Sequence, residues 1–320
     1  MFHGLVLVIG GVALAIVVDQ LGWEGIRRVV LGTGWWFAVI AAIDVAAVMC
    51  DAFAIHGFLR DKTSVGYFAV FGAQASGLAI NRLTPGNSLG EPVKVTMLTS
   101  YVPANLAVSA VVMFNLTTIY VGITAIVIGV PVTALLLDLP PRIALVAQIG
   151  TGVLIAVAIA IAVLVRRGAV GTLIGALGGV RAISADRAAR WRAKIAEIDT
   201  RVRELGGLQR GLAGVLGSRL LNFVGTIVVL HAADIPLTAP LVIAMLSVGI
   251  LVTWISNIIP LGLGVADGTN YALYGLLGAS PAAGLVFTMI NRLRTVVLAI
   301  IGMCVMMIAQ AVARSRDAAE

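Results

Sequence analysis

Two segments of this sequence bring helix-breaking residues and charged side chains together inside long apolar stretches. The first reads AINRLTPGNSLGEPVKVTML over residues 79–98, and the second reads SNIIPLGLGVADGTNYALY over residues 256–274. Each has an asparagine, a proline three or four residues later, glycines and one carboxylate: Asn81, Pro85, Gly86, Gly90 and Glu91 in the first, and Asn257, Pro260, Gly262, Gly264 and Asp267 in the second. This similarity predicts an internal repeat.

The charged residues of the first segment could bind a polar ligand or carry protons. Glu91 and Lys94 are three residues apart just after the break, so on a helix they face the same side. A lysine there can hold a phosphate as a point charge, and a carboxylate can bind a proton or an amine. We expect Glu91, Lys94, Asp267, Asn81 and Asn257 to line one cavity. Replacing Glu91 by glutamine should then abolish function without affecting folding.

Other ionisable residues also lie in apolar runs, where a charge costs about 3 kcal/mol on insertion scales. They are Asp44, Asp51, Arg82, Arg219, Arg292 and Arg294, of which Arg292 and Arg294 could instead extend to a membrane interface. Asp44 and Asp51 are seven residues apart, on one face of a helix, and could relay protons or pair with Arg219 or Arg292. Arg82, Arg219 and Arg292 could supply positive charge for a phosphate. The alternative is that these ions only pair to hold helices together, and that the asparagines only satisfy backbone groups freed by the breaks.

The bulk composition places these residues in an integral membrane protein. The 320 residues are 60% hydrophobic and 12% charged, with a mean hydropathy of +1.06, which leaves too little polar surface for a soluble globule. Apolar runs of mostly membrane-spanning length follow one another along the chain, at about residues 4–18, 35–57, 65–80, 104–137, 143–165, 212–233, 238–259 and 282–313. We interpret the first run as a retained helix rather than a cleaved signal, because no lysine or arginine precedes it.

The excess of positive charge is concentrated in one loop. Residues 166–210 hold ten of the 22 lysines and arginines against four acids, which predicts a cytoplasmic loop and leaves little to indicate nucleic-acid binding. The loop divides the chain into a first transmembrane half, 1–165, and a second, 211–320. Trp191, Ile195, Ile198, Val202 and Leu205 form one helical stripe within it. This amphipathic helix could lie on an anionic inner leaflet or simply cap the bundle in solvent.

The sequence predicts an all-α, polytopic transmembrane bundle. If both broken segments re-enter the membrane, about eight helices span it, and if both span, about ten do. Re-entry is favoured because the segments are short and rich in glycine. Spanning would place at the cytoplasmic side Arg60, Lys62, Arg314 and Arg316. Re-entry would place there Arg27, Arg28 and Lys94, and the carboxy-terminal arginines outside.

Signatures of catalysis and of cofactor binding are missing from the sequence. The histidines His3, His56 and His231 have no metal-ligand spacing, Cys50 and Cys304 have no CxxC partner, and no nucleotide-binding or hydrolase motif occurs. We therefore expect no metal, no cofactor and no enzymatic activity. A membrane transferase that uses carboxylates alone is the alternative, with Glu91, Asp267, Asp44 and Asp51 as its residues.

The motifs NRLTPGNSLGEPVK and IPLGLGVADG resemble the transmembrane region of lysylphosphatidylglycerol synthases, a family of flippase-like membrane proteins, over about residues 1–313. The resemblance matches the family's Pro/Gly turn and Gly-Glu-x-x-Lys at Pro85, Gly86, Gly90, Glu91 and Lys94. It matches the later Pro-Gly-Leu-Gly and acid at Pro260, Gly262, Leu263, Gly264 and Asp267, where the family more often has glutamate. Larger members add a cytosolic aminoacyl transferase domain, for which the longest polar stretch of this chain has no room.

The resemblance implies lipid handling, and with the broken segments it predicts a flippase or transporter in the cytoplasmic membrane of a bacterium. The lipid could be a phospholipid, a hopanoid-related lipid or a polyprenyl-linked lipid. The expected partners are the transported lipid, anionic lipids of the inner leaflet and enzymes of envelope-lipid synthesis. One alternative is an enzyme or accessory subunit acting on a polyprenyl-phosphate or hopanoid lipid. Another is a structural partner in an envelope-lipid complex.

Overall fold

The computed structural model describes residues 22–61, 63–84, 89–136, 141–167, 207–256 and 264–317, with positions 11, 12, 15 and 19. These residues form ten α-helices and no strand, which confirms the all-α prediction. The helices are α1 Trp23–Thr33, α2 Trp36–Leu59, α3 Tyr67–Leu83, α4 Gly90–Leu98, α5 Ala104–Leu136, α6 Pro141–Arg167, α7 Leu208–Ala232, α8 Ala239–Ser256, α9 Val265–Leu276 and α10 Pro281–Asp317. Most of the first apolar run and the amphipathic helix predicted around Trp191 lie outside the described residues.

Four of the described helices are long and apolar enough to cross a membrane. They are α2, α5, α7 and the Pro281–Ala309 part of α10. Large apolar side chains cover much of their outer surface and that of α6, as expected where the surroundings are hydrocarbon. The chain is thus a multi-pass helical membrane protein. The predicted number of about eight spanning helices stays a prediction.

Helix α3 differs from the long helices because protein surrounds it. Eleven of its 17 residues are buried, and α4 packs back along its second half. Gly77 lies against Lys94, and Asn81 contacts Gly90 and Glu91, so the two helices are antiparallel arms of a hairpin. A broken helix at membrane depth must be enclosed in protein, because hydrocarbon cannot satisfy the freed backbone groups. The α3–α4 hairpin therefore has the form of a re-entrant segment.

The principal contacts among α2–α5 and α7–α10 occur in matched sets. Helix α3 packs on α10 as α8 packs on α5, α4 packs on α5 as α9 packs on α10, and α3 contacts α4 as α8 contacts α9. Helices α2 and α7 pack on each other over the most extensive interface. Gly57 adjoins Gly211, whereas Ile43 adjoins Gly225, so these two helices are antiparallel. The halves are therefore inverted copies of one unit, the arrangement found in many transporters.

The contacts also place the helix ends. Asp61, just after α2, forms a 3.0 Å salt bridge with Arg210 in the first turn of α7. Helix α10 is antiparallel to α3, because Gly302 packs on Ala75 and Ala79 whereas Ala309 lies near Gly72. The end of α2, the start of α7 and the end of α10 thus share one end of the molecule, adjacent to the basic loop.

This arrangement combines features of both topologies considered from the sequence. The first broken segment forms a hairpin, as re-entry requires. Arg60 nevertheless lies at the same end of the molecule as the start of α7. From the sequence, this position of Arg60 was expected only if both broken segments span the membrane. The reason is that residues 65–80, counted from the sequence as a separate crossing, form the first arm of the hairpin.

Candidate functional site

The hairpin of the first half is held together by a cluster of polar side chains around Glu91. Its carboxylate accepts hydrogen bonds from Asn81 Nδ2 at 2.9 Å and Asn115 Nδ2 at 2.9 Å, and pairs with Lys94 Nζ at 2.8 Å. Asn81 Oδ1 also accepts the backbone N–H of Gly90 at 2.6 Å. These groups, which we call the first-repeat cluster, connect α3, α4 and α5. Asn81 therefore satisfies a backbone group freed by the break, as the structural alternative predicted.

Glycine is required where the two arms meet. A Cβ atom on Gly77 would overlap the side chain of Lys94, and one on Gly90 would overlap the carbonyl of Gly77 and the amide of Asn81. Lys94 is consequently buried, with 3% of its surface exposed, and its Nζ lies 5.4 Å from the centre of the Phe114 ring. The small residues of this motif allow a charged pair to be enclosed inside the hairpin.

The second half carries a corresponding but less complete cluster around Asp267. Its carboxylate accepts the backbone N–H of Gly264 at 3.0 Å and pairs with the Arg292 NH2 group of α10 at 2.5 Å. One turn further along α9, Asn270 donates to the Thr288 hydroxyl at 2.8 Å. We call these groups the second-repeat cluster. It connects α9 to α10 as the first connects α4 to α5.

Asp44 and Asp51 lie on one face of α2, as their spacing predicted, but in different environments. Asp44 is buried and forms a two-pronged ion pair with Arg294 of α10. Asp51 has no ion pair within the described residues. Its polar neighbours are Ser218 and Gln74, with the Gln74 amide donating at 3.4 Å. Asp44 thus connects two helices through an ion pair, whereas Asp51 forms no direct ion pair within the described residues.

A cavity of about 370 Å³, lined by charged, polar and apolar side chains, lies between the two halves. Its ionisable lining consists of Asp44, Asp51, Arg82, Arg219, Arg292 and Arg294. Side chains of α2, α3, α5, α7, α8, α9 and α10 contribute to its walls, so the fold encloses it from both repeats. Its volume is within the range of small-ligand pockets.

The cavity contains only part of the residue set expected from the sequence. Asn81, Glu91 and Lys94 are not among its lining residues, because they are engaged with one another inside the α3–α4 hairpin. Asp267 is not in the lining either, although its partner Arg292 is. The carboxylates of the two broken segments therefore lie in two clusters rather than in one cavity, and only the second-repeat cluster contributes side chains, Asn270, Thr288 and Arg292, to the central cavity. Five predicted positions lie outside the described residues: Pro85, Gly86, Asn257, Pro260 and Gly262.

Sequence reasoning missed the asparagines that complete the site. Asn115 binds Glu91 from a position 24 residues later in the chain, and Asn291, which lines the cavity and accepts from Arg294, follows Asp267 by the same interval. A polar residue at an equal distance from each carboxylate is a repeat signal that could have been found. The pairing of Arg294 with Asp44 had no such signal, because 250 residues separate them.

Comparison with known sequences gives one family. The family described as Lysylphosphatidylglycerol synthase TM region matches residues 2–302, nearly the whole chain. No curated protein matches significantly. No solved structure does so either.

Proposed function

The chain belongs to the lysylphosphatidylglycerol synthase transmembrane-region family, and on that premise we propose that it moves an amphiphilic lipid between the leaflets of a membrane. Membership of the family indicates a function related to membrane lipids. The observation that carries the more specific proposal is the cavity between two inverted repeats, with its charged and polar side chains. A lipid headgroup needs such an enclosure, because it cannot cross hydrocarbon unaccompanied.

The inverted repeats supply a way to expose that cavity to either side. In transporters built this way, one repeat rocks against the other around a site near the midplane. Here the cavity is lined by Arg292 and Asn270 of the second half, whereas Glu91, Lys94 and Asn115 of the first half do not line it. By the same mechanism, we infer that rocking of the two halves would open the cavity to alternate sides of the membrane. We place the protein in the bacterial cytoplasmic membrane, with enzymes of envelope-lipid synthesis as its expected partners.

The proposal can be tested by filling the cavity without changing its charge. Gly249 of α8 lines the cavity, and a Cβ atom added to it would meet no other atom within 4 Å. A Gly249→Trp variant should therefore fold but exclude a headgroup. Gly152→Trp is the matched control, because Gly152 is equally unobstructed and lies on α6 at the exposed surface.

The measurement is lipid scrambling or transport in proteoliposomes that contain a fluorescent lipid, with a membrane-impermeant reagent to bleach the outer leaflet. We expect wild type and Gly152→Trp to expose inner-leaflet lipid to bleaching, and Gly249→Trp to fail. Equal rates for all three proteins would contradict the proposal. Recovery of a lipid with a changed mass would instead favour the alternative of a membrane enzyme.

A further inference from the structure

The charges that line the cavity do not cancel. Arg294 is neutralised by Asp44, and Arg292 by Asp267. Arg82 and Arg219 are half-buried and have neither an ion pair nor a hydrogen bond within the described residues. Both lie near enough to Asp51 to interact with it electrostatically. Two unpaired cations and one unpaired carboxylate leave the cavity with a net charge of +1.

Unused hydrogen-bond groups lie on the same walls. Among the described residues, no hydrogen-bond partner reaches the buried hydroxyls of Thr118 and Ser256 or the buried Nε of Arg292, and all three residues line the cavity. Native proteins rarely leave such groups unsatisfied, so each is available to contact a bound ligand. A guanidinium N–H can only donate, and hydroxyls can donate as well. A ligand that satisfies all three groups must therefore supply hydrogen-bond acceptors.

The free arginine of α7 and one of these hydroxyls lie close together. The Arg219 guanidinium and the Trp254 ring both pack against Gly122 of α5, and Thr118 is one turn earlier on that helix. Ser256 follows Trp254 at the end of α8. Arg82, at the end of α3, contributes from the opposite repeat unit. Cationic donors from both halves therefore converge on one space.

We propose that this cavity is a binding site for the phosphodiester headgroup of an anionic lipid, held between Arg82 and Arg219 with Thr118 and Ser256 as further donors. A phosphodiester carries one negative charge, which compensates the net charge of the lining, and its oxygens accept several hydrogen bonds at once. Arginine is suited to this role because its planar fork binds phosphate oxygens in pairs. The proposal rests on the proposed function, since it names the class of lipid that would be moved.

The same charges disfavour a lysine-modified headgroup. Esterification of phosphatidylglycerol with lysine adds two ammonium groups and makes the headgroup net positive. It would then meet Arg82 and Arg219 with only Asp51 to offset the repulsion. A neutral lipid would leave the excess positive charge of these half-buried arginines uncompensated, which is also unfavourable. The cavity should therefore discriminate by charge among lipids with identical acyl chains.

Native mass spectrometry of the full chain in detergent can measure this discrimination directly. The ligands are phosphatidylglycerol, lysylphosphatidylglycerol and diacylglycerol with matched chains, and glycerol phosphate as a soluble phosphate ester. We expect phosphatidylglycerol to bind about tenfold or more tightly than the other three. Arg82→Gln and Arg219→Gln should each reduce its binding about tenfold, while Arg210→Gln, an exposed arginine of the same helix α7, should not. Arg219→Lys, which keeps the charge, should bind with intermediate affinity.

Several results would overturn the proposal. They are equal binding of diacylglycerol or lysylphosphatidylglycerol by the wild type, unchanged binding in both glutamine variants, and binding of glycerol phosphate as tight as that of the lipid. If the glutamine variants do not fold, the comparison of lipids on the wild type still decides. Arginine-dependent binding without transport would refute the proposed function alone. Transport that is blocked by Gly249→Trp, with no headgroup preference, would refute the binding site alone.

Discussion

Glu91 illustrates how a residue that suggests chemistry can also support the structure. Its carboxylate joins three helices through Asn81, Asn115 and Lys94. Lys94 forms no other ion pair within the described residues and is almost entirely enclosed. Neutralising Glu91 would leave the buried Lys94 ammonium without its ion-pair partner. The sequence-based expectation that Glu91→Gln leaves folding intact is therefore replaced by a different prediction.

At the residue scale, Glu91→Gln should destabilise the protein by about 2–3 kcal/mol, because it leaves a buried ammonium uncompensated. The loss of stability should lie at the low end of this range, since 30% of the Glu91 side chain is exposed and solvent weakens its ion pair. The double variant Glu91→Gln/Lys94→Met should recover most of it, because a neutral chain of similar length then fills the hairpin. Thermal unfolding in detergent measures both effects. A single variant as stable as wild type would show that the ion pair does not support the fold.

At the scale of helices, the interface between α2 and α7 depends on glycine. Gly214 lies directly on the backbone of α2, where a Cβ atom would come within 2.7 Å of Ala54 N and Cys50 O. Three residues on, a Cβ atom on Gly217 would lie at an ordinary 3.4 Å from Cys50 Sγ. Small residues allow such close approach, which drives helix association in membranes. The two glycines share an interface but differ in the space around them.

We therefore expect Gly214→Ala to cost about 1–3 kcal/mol or more through overpacking, and Gly217→Ala to be close to neutral. The comparison uses one helix and one type of substitution, so differences in helix propensity cancel. Detergent melting temperatures, together with the fraction that elutes as a single species, provide the measurement. Nearly neutral effects of both variants would mean that the α2–α7 interface is looser than the structure shows.

At the scale of the whole molecule, the inverted repeats determine which loops share a side. The α3–α4 hairpin returns to the end from which it starts, so the loops before α3 and after α4 should be on the same side as the start of α7. The loop between α7 and α8 should be on the opposite side. This follows from the antiparallel packing of α2 and α7 and does not depend on the total number of spans.

Single cysteines in a background without Cys50 and Cys304 test this arrangement. Exposed positions are available at Ser64, Tyr101, Leu208 and Leu237. A membrane-impermeant thiol reagent should label the first three from one side and the fourth from the other. Labelling of Ser64 and Tyr101 from opposite sides would show that the hairpin spans the membrane.

Much of the fold class followed from the sequence because it depends on local properties. Length and apolarity identify helices that hydrocarbon stabilises, and proline and glycine identify where a helix must break. The repeated order of asparagine, proline, glycine and acid also marked two equivalent elements, whose carboxylates do lie at corresponding places on α4 and α9. Membrane topology was less accessible, because a 17-residue apolar helix such as α3 has the composition of a span whether or not it crosses.

The partners of the charged residues were decided only by tertiary structure. The sequence alone determined that buried ions must be compensated, since an isolated charge in hydrocarbon is costly. It could not show that Asp44 pairs with Arg294, that Glu91 is enclosed with Lys94, or that Arg82 and Arg219 are left facing a cavity. Those outcomes depend on which helices meet across intervals of up to 250 residues. Local periodicity showed that Glu91 and Lys94 share one side of a helix, but it contains no information about contacts between distant helices, which arise only when those helices pack together.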